Sequence, residues 1–382
     1  MVNAMDSVGL YIHIPYCLHK CGYCDFNSHP ENASERERYV PALIEEIRHY
    51  APRLKDRRVE TIFFGGGTPT TLPAGDQIRI LKACRRYFDV ADDAEITTEA
   101  NPSTVETENL KCLRAAEINR LSVGVQSFDS DELKTLDRVH SVKEIHQTVE
   151  RARRAGFDNL SLDLMFALPG QSKVRWQDNL EQAIAKNPEH LSAYNLTIEP
   201  GTAFHKLHEA GALTLPSEDF QLELYQYSIK RLAEAGYEHY EISNFSKPGY
   251  ESRHNILYWE NGDYLGLGAG ASSYLDGVRF KNFNTPAHYI DRVKSDGHAV
   301  QTEEALDARR AMGETLMLGL RLKRGVSIPK FEQRFQVPFD KVFGSVVERL
   351  REQELVSVHG DHLALSTRGL YLADSVILEF IE

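Results

Sequence analysis

Cys17, Cys21 and Cys24 lie within one eight-residue stretch, Cys17-Leu-His-Lys-Cys21-Gly-Tyr-Cys24, and space three thiols as C-x3-C-x2-C. Thiolates are natural ligands for iron–sulfur clusters and for zinc. Structural zinc wants four closed ligands, typically as two separated pairs, and His13, His19 and His29 are the residues at hand for a fourth. Three cysteines in one tight loop suit a cubane better, because the loop wraps three corners and leaves the fourth iron open to an outside ligand. The chain holds five cysteines, an odd number that fits a disulfide framework poorly. Cys84 and Cys112 sit on helix-like stretches and are expected to pack.

Positioning such a loop falls to the first 200 residues, where six β-rich runs alternate with helical stretches: 9–14, 59–64, 95–100, 120–125, 159–166 and 190–196. One intervening segment, SVKEIHQTVERARRAG, ends in Gly156 as a C-cap signal. Six β/α units in series imply parallel strands with right-handed crossovers. The polar residues of chemical interest fall at or near the C-terminal ends of these runs. The cysteines follow the first and Gly65 to Thr68 the second; Glu99 is on the third, Gln126 follows the fourth, and Asp163 is late on the fifth. A barrel brings such ends to one mouth, whereas an open sheet strings them along a line. The expectation is an incomplete six-stranded α/β barrel over 1–200.

Residues 201–304 read as an extension of that barrel, with a helix, a strand-like YEHYEIS and the Gly- and aromatic-rich HNILYWENGDYLGLGAGASSYL. Residues 305–382 read as helices followed by two brief strands around a His-Gly-Asp turn, a winged-helix-like module for structure or partner binding. The net charge of −12 argues against a broad nucleic-acid footprint. No run approaches the roughly 20 apolar residues needed to span a bilayer. MVNAMDSVGL carries neither the basic region nor the apolar stretch of a secretory signal, so a cytoplasmic location is predicted.

The cysteine spacing, with Tyr11 six residues before it and Gly-Gly-Gly-Thr-Pro-Thr after the next strand, resembles the radical S-adenosylmethionine superfamily. Within it, LYIHIPYC, GGGTPT, EANP, GVQSF and DLMFALPGQ resemble the group that holds oxygen-independent coproporphyrinogen III oxidase (HemN) and the heme chaperones (HemW). The resemblance implies a partial (β/α)6 TIM-like barrel, a [4Fe-4S] cluster on Cys17, Cys21 and Cys24, and S-adenosylmethionine held by Tyr11, Gly66, Gly67, Thr68, Glu99, Gln126, Arg138 and Asp163. Tyr23, beside Cys24, either stacks on adenine or shields the cluster.

Three features separate the two branches. The oxidase pattern has a further cysteine where this chain has Phe26, and a longer segment ahead of the cluster; the chaperones carry H-N-x-x-Y-W, here His254 to Trp259. All three point to the chaperones, with His254 as heme ligand and the following apolar and aromatic residues covering a porphyrin face; Arg253 and Lys247 are the cations near enough in sequence for propionates. The partners so implied are heme and heme-accepting proteins, including membrane-bound respiratory ones, with a peripheral membrane encounter and a homodimer both open. Propionate decarboxylation of coproporphyrinogen III is the alternative activity.

Overall fold

The computed structural model describes residues 7–381. Its main sheet contains β1 (Ser7–Ile14), β2 (Arg58–Gly66), β3 (Asp89–Ala100), β4 (Arg120–Gln126), β5 (Asn159–Phe166), β6 (His190–Asn195), β7 (Glu238–Glu241), β8 (Asn244–Ser246), β9 (Tyr264–Leu267), β10 (Ser272–Leu275), β11 (Val278–Asn282) and β12 (Val300–Ala305). In space the order is β12-β11-β10-β9-β1-β2-β3-β4-β5-β6-β8-β7. β1 to β6 pair in parallel, in sequence order, as the alternating pattern predicts. A seventh parallel strand, β9, pairs with the outer side of β1. Its four residues sit in a Gly-rich run too short to signal a strand by periodicity. Antiparallel hairpins finish both edges.

The parallel strands are buried on both faces, but the faces differ. Outward, Ile96, Leu121, Val123, Leu160, Leu162 and Leu191 join the apolar core under the helices. Inward alternation brings up Thr61, Glu95, Thr97, Glu99, Arg120, Ser122, Ser161, Asp163, His190 and Ser192. A polar lining must be satisfied within the fold or by ligands. The helix Arg253–Trp259 answers part of that demand. Its Ser252 N-cap bonds the Asn255 backbone N–H. Glu95 on β3 accepts from the backbone N–H groups of Arg253 and His254, at 3.0 and 3.1 Å. Thr61 on β2 meets His254, and the hydroxyl of Tyr240 on β7 lies 3.4 Å from the Ser252 N–H. One short helix thus touches β2, β3 and the far β7, so the sheet curls around it as an unclosed barrel.

The apolar core formed by residues 1–200 continues without a break into 201–304, from Val8 to Ala299. A second core gathers Leu316, Phe331, Phe339, Phe343, Leu363 and Phe380, with Ile242 packed against it. There Val326–Ser327, Val356–His359 and His362–Leu365 form a three-stranded sheet beside the helices Ile328–Phe335 and Phe339–Glu352, a winged-helix-like arrangement. Cys84 is buried as expected. Cys112 is exposed, because the helix Thr107–Ala115 buries Leu110 and Leu113 instead. Gly156 takes φ +89° just past the helix Val142–Arg154, where a left-handed residue ends the turn.

Candidate functional site

The cysteine loop leaves β1 and crosses the C-terminal end of β2. Gly67 N–H donates to the Ile14 carbonyl and Thr68 N–H to that of Tyr16, both at 2.8 Å. Thr68 Oγ1 lies 3.5 Å from Cys17 Sγ and accepts from Asn101 Nδ2 at 2.8 Å. Arg138 completes the frame, donating to Gly124 O at 2.8 Å, to Asn101 Oδ1, and to Cys21 Sγ at 3.6 Å. A chain of contacts thus runs from Cys17 through Thr68, Asn101 and Arg138 to Cys21. Tyr23 packs edge-on against Phe204 at 6.1 Å, closing the loop from outside.

Close approach explains the glycines. A Cβ on Gly66, whose φ is +110°, would stand 2.5 Å from the His13 ring, and one on Gly67 would stand 2.6 Å from Tyr16 O. Gln126 ends β4 at φ 65°, a left-handed conformation that costs a non-glycine residue about 1–3 kcal/mol and tends to persist at binding sites. Its Nε2, with Asn101 Oδ1 and Arg138 Nη2, crowds the space above Gly124.

Burial pushes the Cys21 and Cys24 thiols above their ordinary value; Arg138 opposes this at Cys21, and a backbone hydrogen bond from Phe26 opposes it at Cys24. Half-buried thiols of this kind become thiolates when a metal supplies the compensating charge. Among the described residues no three His, Cys, Asp or Glu groups converge on a point that would hold a single metal ion. A cubane is gripped at separate corners and asks for no such convergence. His13 has both ring nitrogens engaged, by Tyr11 OH at 3.0 Å and Asn27 O at 2.8 Å. His19 pairs with Asp137 and His29 with Asn27. The loop therefore fits a three-thiol cluster better than a four-ligand zinc site.

A cavity of about 330 Å³ opens beside the loop. Its lining includes Tyr11, Gly66 and Glu99 together with Tyr258, Tyr264, Lys281 and Phe26. Burial raises Glu99 to about 8, assisted by the neighbouring charge of Asp163 and opposed by the Gly66 backbone and Arg120. Asp163 accepts from Ser122, Ser161 and Ser192, with closest distances of 3.0, 3.2 and 2.8 Å. It too is raised by burial, against those hydroxyls and Arg120.

His254 stands apart from the cysteines, toward the N-terminal ends of the strands. It is 1% exposed, with Nδ1 2.8 Å from Thr61 Oγ1 and Nε2 2.9 Å from Tyr258 OH, and its ring stacks on Phe63. Burial, then Arg120, lowers it to about 3, so the imidazole is neutral. Both nitrogens are spoken for while the helix stays in the lumen. Arg253 donates to the Asp93 carbonyl at 2.7 Å, and Lys247 reaches Glu189 and the Asn187 carbonyl, so each cation has another partner here.

Asn101, Arg120, Tyr264 and Lys281 escaped the sequence reading. In the sequence Tyr258 reads only as surface to cover a porphyrin face; its signal for meeting His254 is its place one helical turn further on. Arg120 also had one: it is a charge at the inward register of a strand that continues Ser122, Gly124.

Comparison with known proteins follows the same geography. The family model described as the Radical SAM superfamily matches residues 11–183, and that of the HemN C-terminal domain matches 306–372. The protein named heme chaperone HemW of Lactococcus lactis is 38% identical, over 97% of this chain and 96% of its own. Its namesake in Bacillus subtilis is also 38% identical, over 97% and 98%. The chain belongs to the heme chaperone HemW family. Membership carries the radical S-adenosylmethionine fold, with the cluster and cofactor that define that superfamily. The solved structure of Escherichia coli coproporphyrinogen III oxidase (HemN), described as a radical SAM enzyme, superposes with a TM-score of 0.85 at 26% identity, covering 99% of this chain and 90% of that one. That oxidase thus shares the architecture of this chain over almost its full length. No helix among the described residues is long and apolar enough to cross a membrane.

Proposed function

We propose that this chain takes up heme and passes it to acceptor proteins, using the lumen helix Arg253–Trp259 as the heme-gripping element and the cysteine loop, at the other ends of the strands, as a regulatory element. The observation that carries this is Tyr258: its hydroxyl meets His254, and it also lines the cavity that Tyr11, Gly66 and Glu99 share. In this reading Tyr258 is the residue through which the cavity and His254 communicate. With both its nitrogens engaged, His254 becomes a ligand only when the helix swings away from Thr61. Neutral imidazole is already the form an iron accepts.

In this reading Cys17, Cys21 and Cys24 hold the [4Fe-4S] cluster. Gly66, Gly67 and Thr68 admit the methionine part of S-adenosylmethionine, while Arg138 pairs with its carboxylate. Glu99 and Asp163 accept from its amino group and ribose, Gln126 bridges, and Tyr11 and Tyr23 flank it. When bound, such a cluster supplies an open iron and an electron for reductive cleavage of the sulfonium. The division at 200 and 304 then separates cofactor barrel, heme segment and a C-terminal module for partners. Acceptors at a membrane, a cytoplasmic location and a homodimer belong to the same proposal.

Heme titration of the anaerobically reconstituted chain tests it. His254→Ala is expected to lose or shift the Soret band. Thr61→Val, which keeps the imidazole but cuts one of its two ties, is expected to bind heme faster than the parent. An unchanged spectrum in the first variant, or slower uptake in the second, removes His254 as the ligand. The HemN-like architecture keeps a second reading open, decarboxylation of coproporphyrinogen III. Phe26 in place of the oxidase's further cysteine stands against it, and protoporphyrinogen formation in an anaerobic assay would establish it.

A further inference from the structure

The helix Arg253–Trp259 is held by different partners at its two ends. At its start the sheet grips it, through Glu95 on the backbone N–H groups and Thr61 on the His254 ring. At its end the C-terminal module does. Glu260, which closes the helix, accepts from Arg324 at 2.6 Å, with Lys330 3.6 Å away. Asn261 is 5% exposed and takes the left-handed φ of 51°. Its Nδ2 donates to Thr315 Oγ1 at 3.0 Å, and its carbonyl accepts from Arg334 at 2.9 Å. Arg334 also reaches Tyr274 OH on β10 at 2.8 Å, and Arg321 lies over the Trp259 ring.

These contacts bear on His254 through Tyr258. The Tyr258 hydroxyl occupies His254 Nε2, and the Tyr258 carbonyl accepts the Asn261 N–H at 3.0 Å. Fixing Asn261 therefore fixes the turn that keeps Tyr258 on the imidazole. A helix of seven residues does not hold itself in water, so its place in the lumen depends on what grips its ends. The chain entering it is loosely packed: Gly249, at φ 82°, has nothing within 4 Å of its Cβ position, and Tyr250 is exposed. The grip at the far end is built to part. Exposed ion pairs such as those of Glu260 are weak. Trp259 Nε1 and Arg321 Nε are buried there with no hydrogen-bond partner, which favours opening to solvent. The seam can open locally while Ile242 still packs against the module's core.

We propose that the C-terminal module is a clasp on the heme segment: Thr315, Arg321, Arg324 and Arg334 hold its last turn, and Tyr258 with it, so that His254 stays closed to iron until the clasp opens. The proposal rests on the reading of His254 as heme ligand. Opening frees the last turn and draws Tyr258 off Nε2. Glu95 and Thr61 are then the remaining grip, and the helix swings away from them.

The double variant Arg324→Ala/Arg334→Ala cuts the clasp without touching the cysteine loop or the sheet's grip on the helix. Two readouts are taken on the full reconstituted chain: amide hydrogen exchange without heme, and the rate of heme uptake. The N–H groups of Ile256, Glu260 and Asn261 bond Ser252 O, Ile256 O and Tyr258 O. Their exchange is expected to speed up by about tenfold or more, with β3 and β4 unmoved. Heme uptake is expected to rise roughly threefold or more, as the open fraction grows. Arg349→Ala, which breaks a pair with Glu379 internal to the module, should change neither. Unchanged exchange in the helix overturns the clasp. So does faster exchange with unchanged or slower uptake, in a chain whose Soret band depends on His254. A band that survives His254→Ala marks instead the failure of the heme reading, and the clasp's role in uptake falls with it. If the double variant does not fold, Thr315→Val, which removes only the acceptor of Asn261 Nδ2, takes its place, and unchanged exchange there refutes the proposal.

Discussion

Replacing Gly67 by Ala adds one methyl group at the point where the cysteine loop crosses β2. That methyl would stand 2.6 Å from Tyr16 O and 2.9 Å from Tyr16 C and N. All three are backbone atoms, so no side chain can rotate away. Overpacking of this kind costs about 1–3 kcal/mol. The two peptide units flanking Gly67 carry the bonds from Gly67 N–H to Ile14 O and from Thr68 N–H to Tyr16 O. Their partial loss adds about 0.5–1.5 kcal/mol each. The total expected destabilisation is about 2–6 kcal/mol. Tyr16 directly precedes Cys17, so the strain is relieved by moving the first cluster ligand. Urea unfolding of the apo chain reads the stability, and iron and sulfide content after anaerobic reconstitution reads the loop. Gly75→Ala is the control, since nothing lies within 4 Å of its Cβ position, and a helical Ala there gains up to about 1 kcal/mol. If Gly67→Ala stays within about 0.5 kcal/mol of the parent and loads iron fully, the close approach is not what holds the loop.

Glu46, fully buried among Gly268 N–H, Tyr289 OH and Asn282 Nδ2, is raised by that burial to about 7. An acid raised on folding is stabilising when protonated, so the parent should lose stability relative to Glu46→Gln as pH rises from about 4.5 to 7, by about 3 kcal/mol. Parallel stability curves for the two proteins between pH 4 and 8 would disprove it. Arg321, in the C-terminal module, lies over the Trp259 ring at 4.5 Å. Arg321→Ala should cost about 0.5–2 kcal/mol and shift tryptophan emission to the red, because the only other tryptophan, Trp176, is fully buried. Unaltered emission would mean that the module does not hold that end of the helix.

Local spacing determined a good deal of this protein. Six β/α units, a three-thiol loop at the first strand's exit and polar residues near successive strand ends are properties of residue order. Parallel pairing with right-handed crossovers leaves few other ways to arrange them. Cys17, Cys21 and Thr68 followed from that order, because they leave successive strand ends; Arg138 came only from the family resemblance, and Asn101 was missed. Other features lay beyond local reading. β9 is a four-residue strand in a Gly-rich run, and only its pairing with β1 makes it one. His254 was legible as an imidazole beside aromatic residues. That it lies inside the curled sheet, tied to Thr61 and Tyr258, depends on a helix contacting both the middle of the sheet and one of its edges. Asn261 shows the reason most plainly. Its partners Thr315 and Arg334 lie 54 and 73 residues further along the chain. Distance in sequence says nothing of distance in space, and hydrogen bonds form across space.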